Sequence, residues 1–172
     1  MVGSDPGGHR RTGALGAYAG QDRRAVSIVK LNARERDFID ANPAAAMTTL
    51  RRDGSPHSVR VAVALVDGKL WSSGTQNRAR TKHLRRDPRS TLYVHDNKWA
   101  YLAIESTVDI LDGPDAPELN LALFRKLQTQ DDPHGTIQWN GQPRPPDELL
   151  RILADERRLI YEFEPVRTYG LY

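Results

Sequence analysis

The sequence predicts a mainly β chain: six or so antiparallel strands closed into a small barrel, with a few helices at its periphery. Three observations carry that prediction. Two Asp-Gly pairs, Asp53-Gly54 and Asp67-Gly68, separate apolar runs of strand length, which is the pattern of tight hairpins. The strand-like runs follow one another without a helix after each, so the order is not the alternation of a parallel βαβ sheet. No Gly-x-Gly-x-x-Gly follows a strand, which argues against a parallel dinucleotide-binding fold. Closure into a barrel fits because it protects the strand edges.

Residues 1–30, rich in Gly, Arg and Asp with little periodicity, read as a disordered arm, and residues 31–172 as one domain. In LNARERDFIDANP, Asn32 and Glu35 have capping-box spacing, Phe38 and Ile39 supply an apolar face, and Pro43 stops the helix. AAAMTTL and HSVRVAVALV then read as two strands around Asp53-Gly54, and KLWSSGT as a third after Asp67-Gly68, giving a three-strand meander. The basic stretch up to Pro88 is a short helix. STLYVHD and WAYLAIESTVDIL are two further strands. DAPELNLALFRKLQT is a helix with Leu119, Leu123, Phe124 and Leu127 on one face. Residues 131–146, with four prolines and two glycines, read as a loop or lid. PPDELLRILADE is a last helix opened by proline, and RLIYEFEPVRTYGLY closes the chain as a strand and tail.

Composition excludes several classes of chemistry. There is no cysteine, which removes disulfides, thiolate metal sites and cysteine nucleophiles and suits a reducing, cytoplasmic setting. No apolar run approaches the ~18 residues of a membrane span. His9-Arg10-Arg11 followed by TGALGAYAG is too short and too rich in Gly and Ala for an export signal, and reads as a solvated tail. The net charge of +3 comes from 25 basic and 22 acidic residues, so a polyanion would have to be held by local clustering.

The one strong cluster is SSGTQNRARTKHLRRDP, residues 72–88. At about 100° per residue, Leu84 shares a helix face with Arg80 and Thr81, while Arg78, Lys82 and Arg85 lie on another. Leu84 is the only large apolar residue, so its side faces inward and brings Arg80 and Thr81 to the covered margin. Ser73, Gly74 and Thr75 lead into the helix start, where backbone amides are unpaired. Amides, hydroxyls and a guanidinium converging there suit a phosphate. A solvated basic face is equally compatible with the spacing; nucleic acid is less so, because no aromatic residues are interleaved for base stacking.

His57 alternates with Val59, Val61 and Val63 on one side of its strand, and reads either as a barrel-rim histidine or as a site residue. Trp99 and Tyr101 share a strand face, where they could cover a planar ring or simply pack. The five histidines have no metal-ligand spacing, no Gly-x-Ser-x-Gly elbow occurs, and Glu105 is expected to pair with a nearby cation.

Taken in order, T-L-R-x-D-G-x-P-H (49–57), D-G-K-L (67–70), R-x-R-T-K-x-L-R-R-D-P (78–88) and R-x-Y-G-L (167–171) resemble the flavin- and deazaflavin-binding family related to pyridoxine 5'-phosphate oxidase. They are most similar to its mycobacterial-type branch that uses coenzyme F-420, an 8-hydroxy-5-deazaflavin. The resemblance implies a six-stranded antiparallel split β-barrel with peripheral helices, and a homodimer with the cofactor in a groove at the interface. It implies that Ser73, Thr75, Arg78, Arg80, Thr81 and Lys82 surround the cofactor phosphate. His57 and the strand through Val61 would lie beside the ring system, and Trp99 would approach it. The implied activity is hydride transfer from reduced F-420 to a small unsaturated acceptor, with His57 or Tyr101 as candidate proton donor. FMN chemistry on the same fold, or non-catalytic carriage of a flavin, deazaflavin or tetrapyrrole, are the alternatives; neither nucleic acid nor a membrane span is expected. Two departures stand out. A frequent family pattern is Arg-x-Lys-x-Arg-Asn-Leu, whereas Arg78-Ala79-Arg80-Thr81-Lys82-His83-Leu84 exchanges Lys and Arg. The arginine motif that grips the substrate of true pyridoxine phosphate oxidases is not apparent in VRTYGLY. Residues 131–146 would then be a substrate lid or dimer arm, with Trp139 touching substrate or packing.

Overall fold

The computed structural model describes residues 28–128 and 134–172. Helix α1, Ala33–Ala41, starts where the sequence places it. The Asn32 side chain accepts from the Glu35 amide at 3.0 Å, and the Glu35 carboxylate accepts from the Asn32 amide at 2.7 Å. This reciprocal cap satisfies two amides that helix geometry leaves free. Ile39 is fully buried beneath the helix.

β1 (Ala44–Leu50) and β2 (Pro56–Ala62) form the first hairpin, and β3 (Ala64–Val66) and β4 (Lys69–Thr75) the second. The expected single strand HSVRVAVALV is therefore broken at Val63, whose amide turns to the Pro43 carbonyl at 2.8 Å. The break changes the topology. Instead of one continuous three-strand meander, β2 and β3 lie at opposite ends of a seven-stranded sheet of order β2-β1-β5-β6-β9-β4-β3, in which β5 is Arg89–His95, β6 Tyr101–Leu111 and β9 Arg158–Leu171. One residue joins those two ends, and the Ser72 hydroxyl donates to the Ala62 carbonyl at 2.8 Å, so the sheet curls back on itself. Six strand-length runs, one of them bent, thus make seven strands, and the fold is the expected antiparallel split barrel.

Helix α2, Ala79–Arg86, leads into β5 and β6, whose pairing with β9 shifts register between Glu105 and Ser106, where Val166 is skipped. Trp99 does not share the β6 face with Tyr101: it lies in the β5–β6 turn, where the Asp96 carboxylate caps the amides of Lys98 and Ala100. Helix α3, Ala116–Leu127, has two apolar sides. Leu119, Leu123 and Leu127 pack on Trp71 and Ile160, while Leu121 and Phe124 join Ile137, Leu149 and Leu153. The single face expected for Phe124 is thus two faces, because the helix is sandwiched between the barrel and helix α4 (Pro146–Asp155). The segment read as a loop holds a short hairpin, β7 (Ile137–Trp139) and β8 (Gln142–Arg144). The last strand, β9 (Arg158–Leu171), has no tail: it pairs with β4 and then with β6 along its whole length. Gly170 sits where a Cβ would come within 2.1 Å of the Tyr101 carbonyl, which gives the glycine of R-x-Y-G-L a steric reason. The arm expected over residues 1–30 falls mainly outside the described residues; Val29, at its end, donates its amide to Pro165.

The barrel interior is filled by Met47, Leu70, Leu92, Leu102, Ile104 and Leu159, all at most 2 % exposed, with Tyr161 among them. Helix α2 closes the end where β1 and β2 meet their turn: Leu84 enters the core, and Arg86 donates to the Leu50 carbonyl.

Candidate functional site

The basic helix sorts its side chains as its wheel requires. Leu84 and Thr81 are buried, and Arg78, Lys82, Arg85 and Arg86 are exposed. The Thr81 hydroxyl lies 2.7 Å from the Thr75 carbonyl and 2.5 Å from the Tyr161 hydroxyl. It fastens α2 to the barrel and leaves the helix surface to its neighbours. Arg85 is spent on Asp112, at 2.7 Å, and on Gln76. Hydrogen bonds from Gln76 and Arg85, with burial opposing them, hold the Asp112 carboxyl below its ordinary range.

Arg80 is different. Its Nη2 donates to the Ser73 carbonyl at 3.4 Å, and its guanidinium lies 5.6 Å from the centre of the Tyr161 ring. Among the described residues its buried Nε has no hydrogen-bond partner and its guanidinium makes no ion pair. A guanidinium carries five N–H donors. One long bond leaves most of that capacity unspent, at a helix start where the Arg78 and Thr81 amides are bonded and only those of Ala79 and Arg80 have no partner among the described residues. The N-cap residue, Arg78, makes no side-chain cap bond. These groups fit an anionic phosphate.

Ser73 and Thr75 supply the other side of the helix start. The Thr75 carbonyl accepts from Arg78 N and from Thr81. The Ser73 hydroxyl donates to Asn120 Oδ1 at 2.5 Å and accepts from Arg158 Nη1 at 3.1 Å. Sequence reasoning missed Asn120 and Arg158. A signal existed for Asn120, a polar residue one turn from Ala116 and beside Leu119 and Leu123 on an otherwise apolar face. Arg158 had none, since a cation opening a strand is ordinary.

His57 points to the same end of the barrel. Its ring stands nearly perpendicular to that of His83 with centres 5.2 Å apart, and its buried Nδ1 has no hydrogen-bond partner among the described residues. His83 Nδ1 lies 3.0 Å from the Thr49 hydroxyl. Burial, reinforced by His57, Arg86 and Arg51, pushes the His83 pKa below its ordinary value. Val61 has its side chain in the core, 7 % exposed, so only its backbone remains for a ligand.

Tyr101 and Trp99 lie elsewhere. Register aligns His57 with Thr49, Ser90 and Ser106, whereas Val61 aligns with Ala45, Val94 and Leu102; Tyr101 is one step further. The His57 and Val61 rows are four residues apart, roughly 13 Å along the strands. Trp99 is 88 % exposed beyond that far end, and Tyr101 stacks on Tyr93 with centres 5.2 Å apart. Within one chain the fold does not bring these aromatics to the Arg80 end. The outer face of β1, β5 and β6 carries a cavity of about 310 Å³ bounded by Thr48, Thr91, Arg89 and Glu105. Glu105 faces Arg167 across the strands at 3.9 Å, the pairing its position led one to expect. Among the described residues no three His, Asp or Glu side chains group to hold a metal, and no helix is long and apolar enough to cross a membrane.

Residues 31–161 match the family model described as pyridoxamine 5'-phosphate oxidase. The chain belongs to that family. Solved structures similar to this member have the same fold. The conserved hypothetical protein Rv2991 from Mycobacterium tuberculosis is 20% identical, with 88% of this chain and 89% of that one covered and a TM-score of 0.62. An F420 reductase is 19% identical over 78% of this chain and 94% of its own, with a TM-score of 0.54. A pyridoxamine 5'-phosphate oxidase-related, FMN binding protein from Nostoc punctiforme is 12% identical over 84% and 85%, with a TM-score of 0.55.

Proposed function

We propose that this family member is a homodimeric oxidoreductase in which reduced coenzyme F-420 gives a hydride to an unsaturated organic acceptor. The observation that carries the reading is Arg80, a guanidinium with unspent donors and no counter-ion among the described residues, poised at the start of α2. Such a group is stabilised by a phosphate accepting charge-assisted bonds. The deazaflavin is preferred for the likeness of the motifs at 49–57 and 78–88 to the F-420 branch, supported by the solved F420 reductase. The FMN binding protein from Nostoc punctiforme supports FMN chemistry on the same scaffold as the second reading.

A bound deazaflavin supplies two-electron hydride chemistry. The chain supplies the rest. The Arg80 guanidinium and the amides of Ala79 and Arg80 hold the phosphate, with Arg78 and Lys82 exposed at its approach. His57, half-buried at the same end, is the candidate to hold a proton near the ring system. Trp99 and Tyr101, at the far end of β5 and β6, reach that ring system only from a second protomer. A surface for that protomer is at hand. Tyr93, Tyr101, Tyr169 and Leu171 lie on one outer face, with Tyr93, Tyr169 and Leu171 at 42%, 48% and 64% exposed.

The test is titration of the purified protein with F-420 and with FMN, followed by fluorescence. Binding of F-420 well below the FMN midpoint is expected. Tight FMN binding with no response to F-420 would transfer the chain to the second reading. A carrier would bind F-420 yet fail to oxidise its reduced form with any of a panel of quinones, enones and tetrapyrroles.

A further inference from the structure

Four elements meet at Ser73. From β4, its hydroxyl donates to Asn120 on α3 at 2.5 Å and accepts from Arg158 on β9 at 3.1 Å, while its carbonyl accepts from Arg80 on α2 at 3.4 Å. A serine hydroxyl has one proton. Asn120 accepts it, and the Asn120 amide is itself fixed by the Ala116 carbonyl at 2.8 Å. The Ser73 hydroxyl therefore has no donor left for an anion; it orders its neighbours instead.

Arg158 is held on its remaining sides. Its Nε donates to Glu156 at 2.8 Å, and its guanidinium lies 4.5 Å from the centre of the Trp139 ring and 5.9 Å from that of Phe124. Trp139 and Phe124 pack together with centres 5.1 Å apart. A guanidinium stacked on an indole and ion-paired at its edge has little freedom. Glu156 balances its charge, whereas Arg80 makes no ion pair among the described residues. The two arginines that touch Ser73 thus differ in kind: one is free to bind an anion, the other is committed to the scaffold.

We infer that Arg158 is a positioning residue of the anion site: clamped by Trp139, it fixes Ser73 and through Ser73 holds Arg80 at the start of α2. This rests on the reading of that helix start as a phosphate site. The β7–β8 hairpin then acts as a brace for the cradle, and Trp139 acts by its flat face on Arg158 with no contact to substrate.

Binding of F-420 and FMN to the full chain is measured by fluorescence for Arg80→Ala, Arg158→Gln, their double variant, Trp139→Ala and Trp139→Phe, with thermal unfolding alongside. Arg158→Gln and Trp139→Ala are expected to weaken the bound cofactor about five- to twentyfold. Trp139→Phe, which keeps an aromatic face, should stay within about twofold. The double variant should bind no more weakly than Arg80→Ala alone, because Arg158 acts through Arg80. Losses that multiply in the double variant, or an Arg158→Gln protein with parental affinity, overturn the inference while leaving the phosphate reading intact. If Arg158→Gln does not fold, the Trp139 pair decides: equal loss in Ala and Phe, or none in either, overturns it. Parental affinity in Arg80→Ala, or no binding of either cofactor by the parent, overturns the phosphate reading and this inference together.

Discussion

The Thr81 hydroxyl lies 2.5 Å from the Tyr161 hydroxyl, and the Tyr161 ring occupies the space beside Gly74 that any side chain there would need. A Cβ on Gly74 would come within 2.3 Å of the Tyr161 hydroxyl and 2.4–2.5 Å of its ring. One tyrosine at the core of β9 thereby sets both how closely α2 approaches the barrel and which residue β4 can place opposite it.

Gly74→Ala is expected to destabilise the chain by about 1–3 kcal/mol, the usual cost of overpacking a filled core. Tyr161→Phe keeps the ring and gives up only the hydroxyl contact, at about 1 kcal/mol. Urea unfolding of both variants measures the difference. A Gly74→Ala protein as stable as the parent would place the Tyr161 ring elsewhere.

Arg80→Ala should weaken cofactor binding by about 1.5–3 kcal/mol, the loss of a charge-assisted hydrogen bond. Lys82, exposed one step beyond buried Thr81, should matter less. Fluorescence titration ranks the two; an equal or larger loss from Lys82→Ala with Arg80→Ala silent would reverse the assignment.

Stability should fall as pH drops below about 6.5, because folding disfavours the charged form of His83. Burial, then His57, Arg86 and Arg51, lower its folded pKa, so the unfolded chain takes up the proton first. The contribution is complete above the unfolded value and is lost progressively until the folded His83 also protonates. His83→Asn should flatten that slope between pH 7 and 5, read by urea midpoints at each pH.

Tyr93→Asp tests the proposed dimer. Tyr93 is 42% exposed and stacks on Tyr101 within the outer face of β5 and β6. A carboxylate buried there without a partner is costly in an interface, while on a free surface it costs within about 0.5 kcal/mol. Sedimentation velocity should show a parental dimer and a monomeric variant that retains its secondary structure.

Local chemistry made much of this protein legible. The Asn32–Glu35 cap, the Asp-Gly turns and the inward side of α2 follow from residue spacing, because each rests on neighbours within one turn or hairpin. The alternation of His57, Val59 and Val61 likewise showed which side of β2 faces inward. What misled was length: HSVRVAVALV has strand composition throughout, and nothing in it marks Val63 as the bend. That bend is set by the Pro43 carbonyl, which belongs to another segment.

The sequence by itself determined the antiparallel class, the basic helix with Arg80 on its covered margin, and the motifs that mark the family. Only the tertiary structure decided that one strand would divide to close the sheet. It also decided that Trp99 would stand clear of the Arg80 end, and that Asn120 and Arg158 would converge on Ser73 from residues 47 and 85 positions away. The reason is physical. Caps, turns and helix faces are fixed by interactions a few residues apart, whereas hydrogen bonds joining α3, β4 and β9 at 2.5 and 3.1 Å exist only once the barrel has curled enough to bring those elements together.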